Sequence, residues 1–311
     1  VQALAAGRAV GLPTETVYGL ACDGTRTDAV AQVYAAKARP QFNPLITHVP
    51  DLASVRRLAV VCERAEALAR AFWPGPLTLV LEARPDCLVT ELARAGLPTL
   101  AVRVPAHPVA EAVLQAFGQP LVAPSANRSG HVSPTEAAHV AADFAGAALG
   151  QAVPVILDGG PATRGLESTI LRVPTDPNAP LVRLRKGSLS AEALDALGLA
   201  WVDATPGGAV AAPGMQLRHY APAASLRLNA TSPGPDELYL AFGPVPLGAR
   251  GISLSEGQDV VEAASRLYAA LRALDAQASA QGLSLAVAPV PDSGLGEAIN
   301  DRLTRAARGR A

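Results

Sequence analysis

Residues 9–49 constrain the fold more than any other stretch. Two apolar runs, Ala9-Val10-Gly11-Leu12-Pro13 and Leu45-Ile46-Thr47-His48-Val49, bracket one polar turn and one helix-length segment. The pattern predicts strand, turn, helix, basic loop and strand, which puts Thr14 to Tyr18 and Lys37 to Asn43 at element ends. Such ends are where α/β folds carry binding groups. The predicted helix runs from about Thr27 to Ala36 and stops at Lys37-Ala38-Arg39-Pro40, because proline cannot propagate it. Two cations there could simply complement the helix dipole. Of the 26 Lys and Arg residues, however, only Lys37 and Lys186 are lysines. A compact ammonium retained in a chain that otherwise uses arginine suits a phosphate contact, and we weight that reading above the dipole one.

The chain has 311 residues, half of them hydrophobic and 17% charged, enough for one large or two ordinary domains with a sizeable core. Net charge is −1 and the balance holds in both halves, so neither half is a basic nucleic-acid module and stable direct binding of nucleic acid is not expected. Cys22, Cys62 and Cys87 lack metal-ligand spacing, which fits buried thiols in a reducing compartment. No apolar run reaches membrane-spanning length and the first residues show no signal-peptide pattern, so a cytoplasmic protein without membrane partners is expected.

Along the chain, residues 50–71 read as one helix capped near Asp51 or Ser54. Pro74-Gly75-Pro76 breaks it before an apolar strand, and Trp73 reads as packing. Arg103 stands in the strand Thr99-Leu100-Ala101-Val102-Arg103-Val104, on the face opposite Val102 and Val104. A buried guanidinium needs an acceptor, either a nearby acidic side chain or a ligand carboxylate. Ser133-Pro134-Thr135-Glu136 reads as a helix start with free amides. No Walker motif occurs, so nucleotide binding would need another cradle. Residues 205–224, rich in Gly, Pro and Ala, read as a linker that also holds Arg218, His219 and Tyr220. Beyond it, Leu267, Leu271 and Leu274 share one helix face.

The segments Pro13–Leu20, Lys37–Leu45 and Ala123–Gly130 resemble the threonylcarbamoyl-AMP synthase family, whose signature pairs K-x-R with S-x-N; here these are Lys37, Arg39, Ser125 and Asn127. The likeness continues through Phe72–Leu81, Ala101–Pro108, Ile156–Gly160 and Glu167–Ile170. It extends into Pro213–Pro222, the linker of the family's long form. The resemblance implies an α/β fold: a large twisted mixed-sheet catalytic domain with an open cleft at 1–204, a linker or lid at 205–224, and a smaller Rossmann-like α/β domain at 225–311.

The resemblance further implies a nucleotidyltransferase that makes threonylcarbamoyl-AMP and pyrophosphate from L-threonine, bicarbonate and ATP. Its product would pass to tRNA-modifying transferase proteins. Lys37 and Arg39 would be catalytic. Arg39, Asn43, Thr99, Ser125, Asn127, Ser133, Arg185 and His219 would bind ATP. Thr14, Thr16, His48, Arg103, the Ala123 backbone and Ser168 would bind threonine. Mg²⁺ would arrive with ATP, and no residue is assigned as a metal ligand. Lys186 stands where the family pattern has proline. Two rival readings remain at this point: an RNA-binding module without adenylate chemistry, and a carbamoyltransferase that works without ATP.

Overall fold

The computed structural model describes residues 1–146, 153, 155–205, 212 and 220–309. Among these, the apolar runs form strands of two sheets. The first contains β1 (Val10–Leu12), β2 (Gly19–Asp23), β3 (Thr47–His48), β4 (Leu77–Glu82), β5 (Thr99–Arg103), β6 (Leu121–Val122), β7 (Val155–Ile156), β8 (Thr169–Arg172), β9 (Leu181–Arg185) and β10 (Trp201–Asp203). Their order is β10-β9-β8-β4-β5-β3-β6-β2-β1-β7, and the pairings mix parallel and antiparallel. The second sheet, β11 (Leu226–Arg227), β12 (Glu237–Ala241), β13 (Gly251–Ser253) and β14 (Ser284–Val287), is ordered β11-β14-β12-β13 and is parallel throughout. A helix at Val260–Gln281 carries the crossover from β13 to β14, as parallel pairing requires.

The helix expected near residue 27 spans Thr27–Lys37 and ends at Ala38 in the left-handed conformation, φ 50°. Two expectations are corrected. Residues 50–71 form two helices, Leu52–Leu58 and Glu63–Phe72. Between them Ala59 bridges Ala83, and the Val60 amide donates to the Glu82 carbonyl at 2.8 Å. The β-branched pair Val60-Val61 favours that extended break. Asp51 caps the first helix by accepting from the Ser54 amide at 2.7 Å. Ser133 does not start a helix: the next one begins at Ala137, and the Ser133 hydroxyl is drawn to Glu167 instead.

Leu267, Leu271 and Leu274 are buried together, each stabilising the fold by about 2 kcal/mol of transfer free energy. Their cluster also takes in Val17, Val132 and Leu166 from the first sheet's domain, and Tyr220. One apolar core therefore spans the boundary between the two sheets. No described helix is long and apolar enough to cross a membrane.

Candidate active site

The centre of the first sheet converges on one cleft. β5 ends at Arg103; β6 leads into Ala123, Pro124 and Ser125; β2 begins at Gly19; Ser168 precedes β8; and β9 ends at Arg185. Ile46 and His48 stand two positions apart on extended backbone, so both reach the same space. With Thr14, Thr16, Val17, Arg39, Glu167 and Tyr220 they line an open cleft. Gly19 allows this close approach: a Cβ on it would lie 3.0 Å from the Ala123 Cβ, and the neighbour would have to shift by a few tenths of an ångström.

Three guanidinium groups, Arg39, Arg103 and Arg185, face this space. Arg103 is held from three sides. Nε donates to the Gly75 carbonyl at 3.1 Å, Nη1 donates to Thr16 Oγ1 at 2.8 Å, and Nη2 lies 2.6 Å from Glu15 Oε1 as an ion pair. The acidic partner considered from sequence is therefore Glu15, and Arg103 still borders the cleft. Thr14 Oγ1 donates to the Val17 carbonyl at 2.7 Å and lies 2.9 Å from Thr16 Oγ1. Since the Thr14 proton is committed to Val17, Thr16 must donate to Thr14. The Thr16 oxygen can then only accept from a ligand.

His48 is buried, and its Nδ1 contacts the Ile46 carbonyl at 3.1 Å, which fixes the Nδ1–H tautomer. Burial, then the charge of Arg103, pushes its pKa down to about 3. The imidazole is therefore neutral at physiological pH. Ser168 Oγ accepts from Arg185 Nη2 at 3.0 Å and contacts Thr78 Oγ1 at 2.7 Å, while Arg185 Nε donates to the Ser168 carbonyl at 3.1 Å. Arg39 donates through Nε to the Asn43 carbonyl and through Nη2 to the Pro44 carbonyl. Burial lowers its pKa to about 10, leaving it charged at neutral pH.

Lys37 differs from the sequence expectation. Its side chain is buried and its ammonium donates to the carbonyls of Ser125 and Asn127, so it braces the S-x-N turn behind the cleft and does not line it. Burial, then Arg39, holds its pKa well below the usual lysine value. Asn127 is also turned inward, donating to the Arg128 and His131 carbonyls at 2.8 and 2.9 Å. Asn43 is buried beside Arg39, with its Oδ1 unpartnered among the described residues. Ser133 lies behind Glu167 and donates to Oε1 at 2.6 Å.

Thr99 is not brought to the cleft. It opens β5 opposite Glu82, at the far end from Arg103, about 13 Å away along an extended strand. His219, and with it most of the expected lid, lies outside the described residues. Tyr220 is described and lines the cleft. The sequence reading grouped Glu15 with Thr14 and Thr16 by resemblance but gave it no contact of its own, assigned no role to Glu167 and gave Tyr220 none of its own. Position inside the Thr-Glu-Thr and Glu-Ser-Thr-Ile segments was the available signal for the two carboxylates.

A family model described as telomere recombination, covering Sua5, YciO and YrdC, matches residues 2–187. A second, described as the threonylcarbamoyl-AMP synthase C-terminal domain, matches residues 189–308. The chain is 38% identical to the threonylcarbamoyl-AMP synthase of Bacillus subtilis over 97% of its own length and 90% of that protein. It is 37% identical to the enzyme of that name from Pyrococcus abyssi, over 96% and 90%. The crystal structure of P. abyssi Sua5 complexed with L-threonine superposes with a TM-score of 0.86 at 34% identity, covering 98% of this chain and 92% of that one.

Proposed function

We propose a function from one premise: the chain belongs to the threonylcarbamoyl-AMP synthase family. It is an enzyme that joins L-threonine, bicarbonate and ATP into threonylcarbamoyl-AMP, the activated unit for threonylcarbamoyladenosine in tRNA, and releases pyrophosphate. In class it is a nucleotidyltransferase. The observation that carries this reading is the convergence of Arg39, Arg103 and Arg185 on one cleft with the hydroxyls of Thr16 and Ser168. Such a set suits a polyphosphate and an amino-acid carboxylate together.

The chemistry needs no covalent intermediate on the protein. The threonine ammonium and bicarbonate combine into an N-carboxylate, releasing water and one proton. A carbamate oxygen then attacks the α-phosphorus, forming a P–O bond while the bond to the β-phosphate oxygen breaks, and pyrophosphate leaves with that electron pair. The carbamate is already anionic, so this second step calls for no general base. The protein's contribution is to hold both reactants and balance charge.

In this assignment Arg103 takes the threonine carboxylate. Thr16, Thr14, the neutral His48, the Ala123 backbone and Ser168 position the rest of that substrate. Arg39 and Arg185 meet the phosphates, Ser125 and His219 complete the nucleotide site, and Asn43 and Ser133 support it from the buried layer behind. Lys37 and Asn127 act by shaping the turn that carries Ser125. Among the described residues no cluster of His, Cys, Asp or Glu could ligate a metal. A magnesium ion that arrives with ATP would be held chiefly by the nucleotide's own phosphate oxygens, where it would share their charge with the arginines. The product would pass to transferase proteins that act on tRNA. Mass-spectrometric detection of threonylcarbamoyl-AMP in a mixture of protein, threonine, bicarbonate and Mg-ATP tests the proposal, and its absence with folded protein would refute it.

A further inference from the structure

The second domain contributes a buried cation to the back wall of the cleft. Arg302, in the Gly296–Ala306 helix, has a fully buried side chain, although arginine is rarely buried without partners. Its Nε donates to Glu167 Oε2 at 2.9 Å and its Nη2 donates to the Lys186 carbonyl at 2.8 Å. Glu167 and Lys186 are the chain neighbours of Ser168 and Arg185. Arg302 thus grips both segments that present this pair to the cleft.

Glu167 is the hub of the contact. It accepts from Ser133 Oγ at 2.6 Å, from the Tyr268 hydroxyl at 2.9 Å and from Arg302, yet it also borders the cleft. Burial alone would favour its protonated form, but Arg302 and Arg185 more than offset this and bring its pKa down to about 2. A permanent anion therefore stands beside a site read as taking ATP. The guanidinium of Arg302 also lies 4.9 Å from the centre of the Tyr220 ring, on which the Tyr268 ring stacks at 5.8 Å. Tyr220 has φ 64°, a left-handed conformation unfavourable for a bulky residue, so packing against these partners holds it there.

We propose that Arg302 is a positioning residue for nucleotide binding: it compensates Glu167, so that this carboxylate can hold Ser133 and the Ser168 segment in place without repelling the ATP phosphates. The inference rests on the reaction proposed above and gives the second domain a part in it. The guanidinium fork reaches the carboxylate and the Lys186 carbonyl at once.

The test uses the full chain. Arg302→Met leaves Arg185 as the remaining cation acting on Glu167, while Glu167→Gln/Arg302→Met removes both charges and keeps a side-chain oxygen at position 167 that can accept from Ser133. Mg-ATP affinity by calorimetry and the KM values for ATP and threonine are read for each, with thermal unfolding as the check on folding. The expected result is an ATP Kd and KM raised about tenfold or more in Arg302→Met, with threonine KM moved less, and with most of the ATP affinity restored in the double variant. If Arg302→Met is too unstable to assay, near-normal ATP affinity in the folded double variant supports the proposal, and affinity still lost there overturns it. ATP affinity within about twofold of the parent in Arg302→Met, or no better in the double variant than in the single, also overturns it. Parent protein that binds ATP but does not release pyrophosphate with threonine and bicarbonate would refute the reaction while leaving this test readable. Parent protein that does not bind ATP would refute both.

Discussion

The Lys37 ammonium donates to the main-chain carbonyls of Ser125 and Asn127, so the lysine of the K-x-R pair and the S-x-N turn form one hydrogen-bonded unit. Lys37→Met would leave both carbonyls without that donor, at about 1–3 kcal/mol for each buried group left unsatisfied. Urea unfolding should show a loss of about 2 kcal/mol or more, and pyrophosphate release should fall about tenfold or more as Ser125 loses its support. A variant as stable and active as the parent would show that the brace is dispensable.

Arg103 presents a planar fork fixed by Gly75, Thr16 and Glu15. Arg103→Lys keeps the charge and loses the fork, so threonine KM should rise about tenfold or more while ATP KM changes less. Equal effects on both substrates would place Arg103 in scaffolding and not in recognition of the amino acid.

His48 gives a pH signature in stability. Its folded pKa of about 3 lies below the ordinary 6.5. As pH falls below 6.5 the unfolded chain takes up a proton that the folded chain does not, and stability falls. The contribution approaches about 1.4 kcal/mol per pH unit. Glu167, depressed to about 2 from 4.5, acts only further down: its stabilisation is full above 4.5 and is lost as pH drops toward 2. Between pH 6.5 and 4.5 the His48→Asn variant should therefore lose about 2 kcal/mol less stability than the parent. Parallel stability curves over that window would contradict the neutral, buried imidazole.

Leu271 lies in the core that joins the two sheets. Leu271→Ala should cost about 2–5 kcal/mol and lower a single unfolding transition that both domains share. Two separate transitions, only one of them shifted, would mean that the domains unfold independently.

Much of this architecture was legible in the sequence because it rests on short-range physics. Apolar runs bounded by proline and glycine gave the strands, the stop at Pro40 gave the helix end, and the spacing of Leu267, Leu271 and Leu274 gave the buried face. The residues expected around threonine, namely Thr14, Thr16, His48, Arg103, Ala123 and Ser168, all border one cleft. What failed depended on distant partners. Lys37 reads the same in the sequence whether it meets phosphate or two carbonyls, and only folding decides which. Ser133 looked like a cap because nothing nearby reveals Glu167, 34 positions later. Thr99 shares a strand with Arg103, but a strand has two ends and only one meets the cleft. Arg302 sits in an amphipathic helix with no local motif, so its place against Glu167, 135 residues away, had no signal in the sequence.

The central claim, that this cleft couples threonine and bicarbonate to adenylate formation, is tested most directly by pyrophosphate release from purified protein with Mg-ATP, omitting threonine and bicarbonate in turn. The account predicts release only when both are present. Release that persists without either, or none from folded protein with all three substrates, would contradict it.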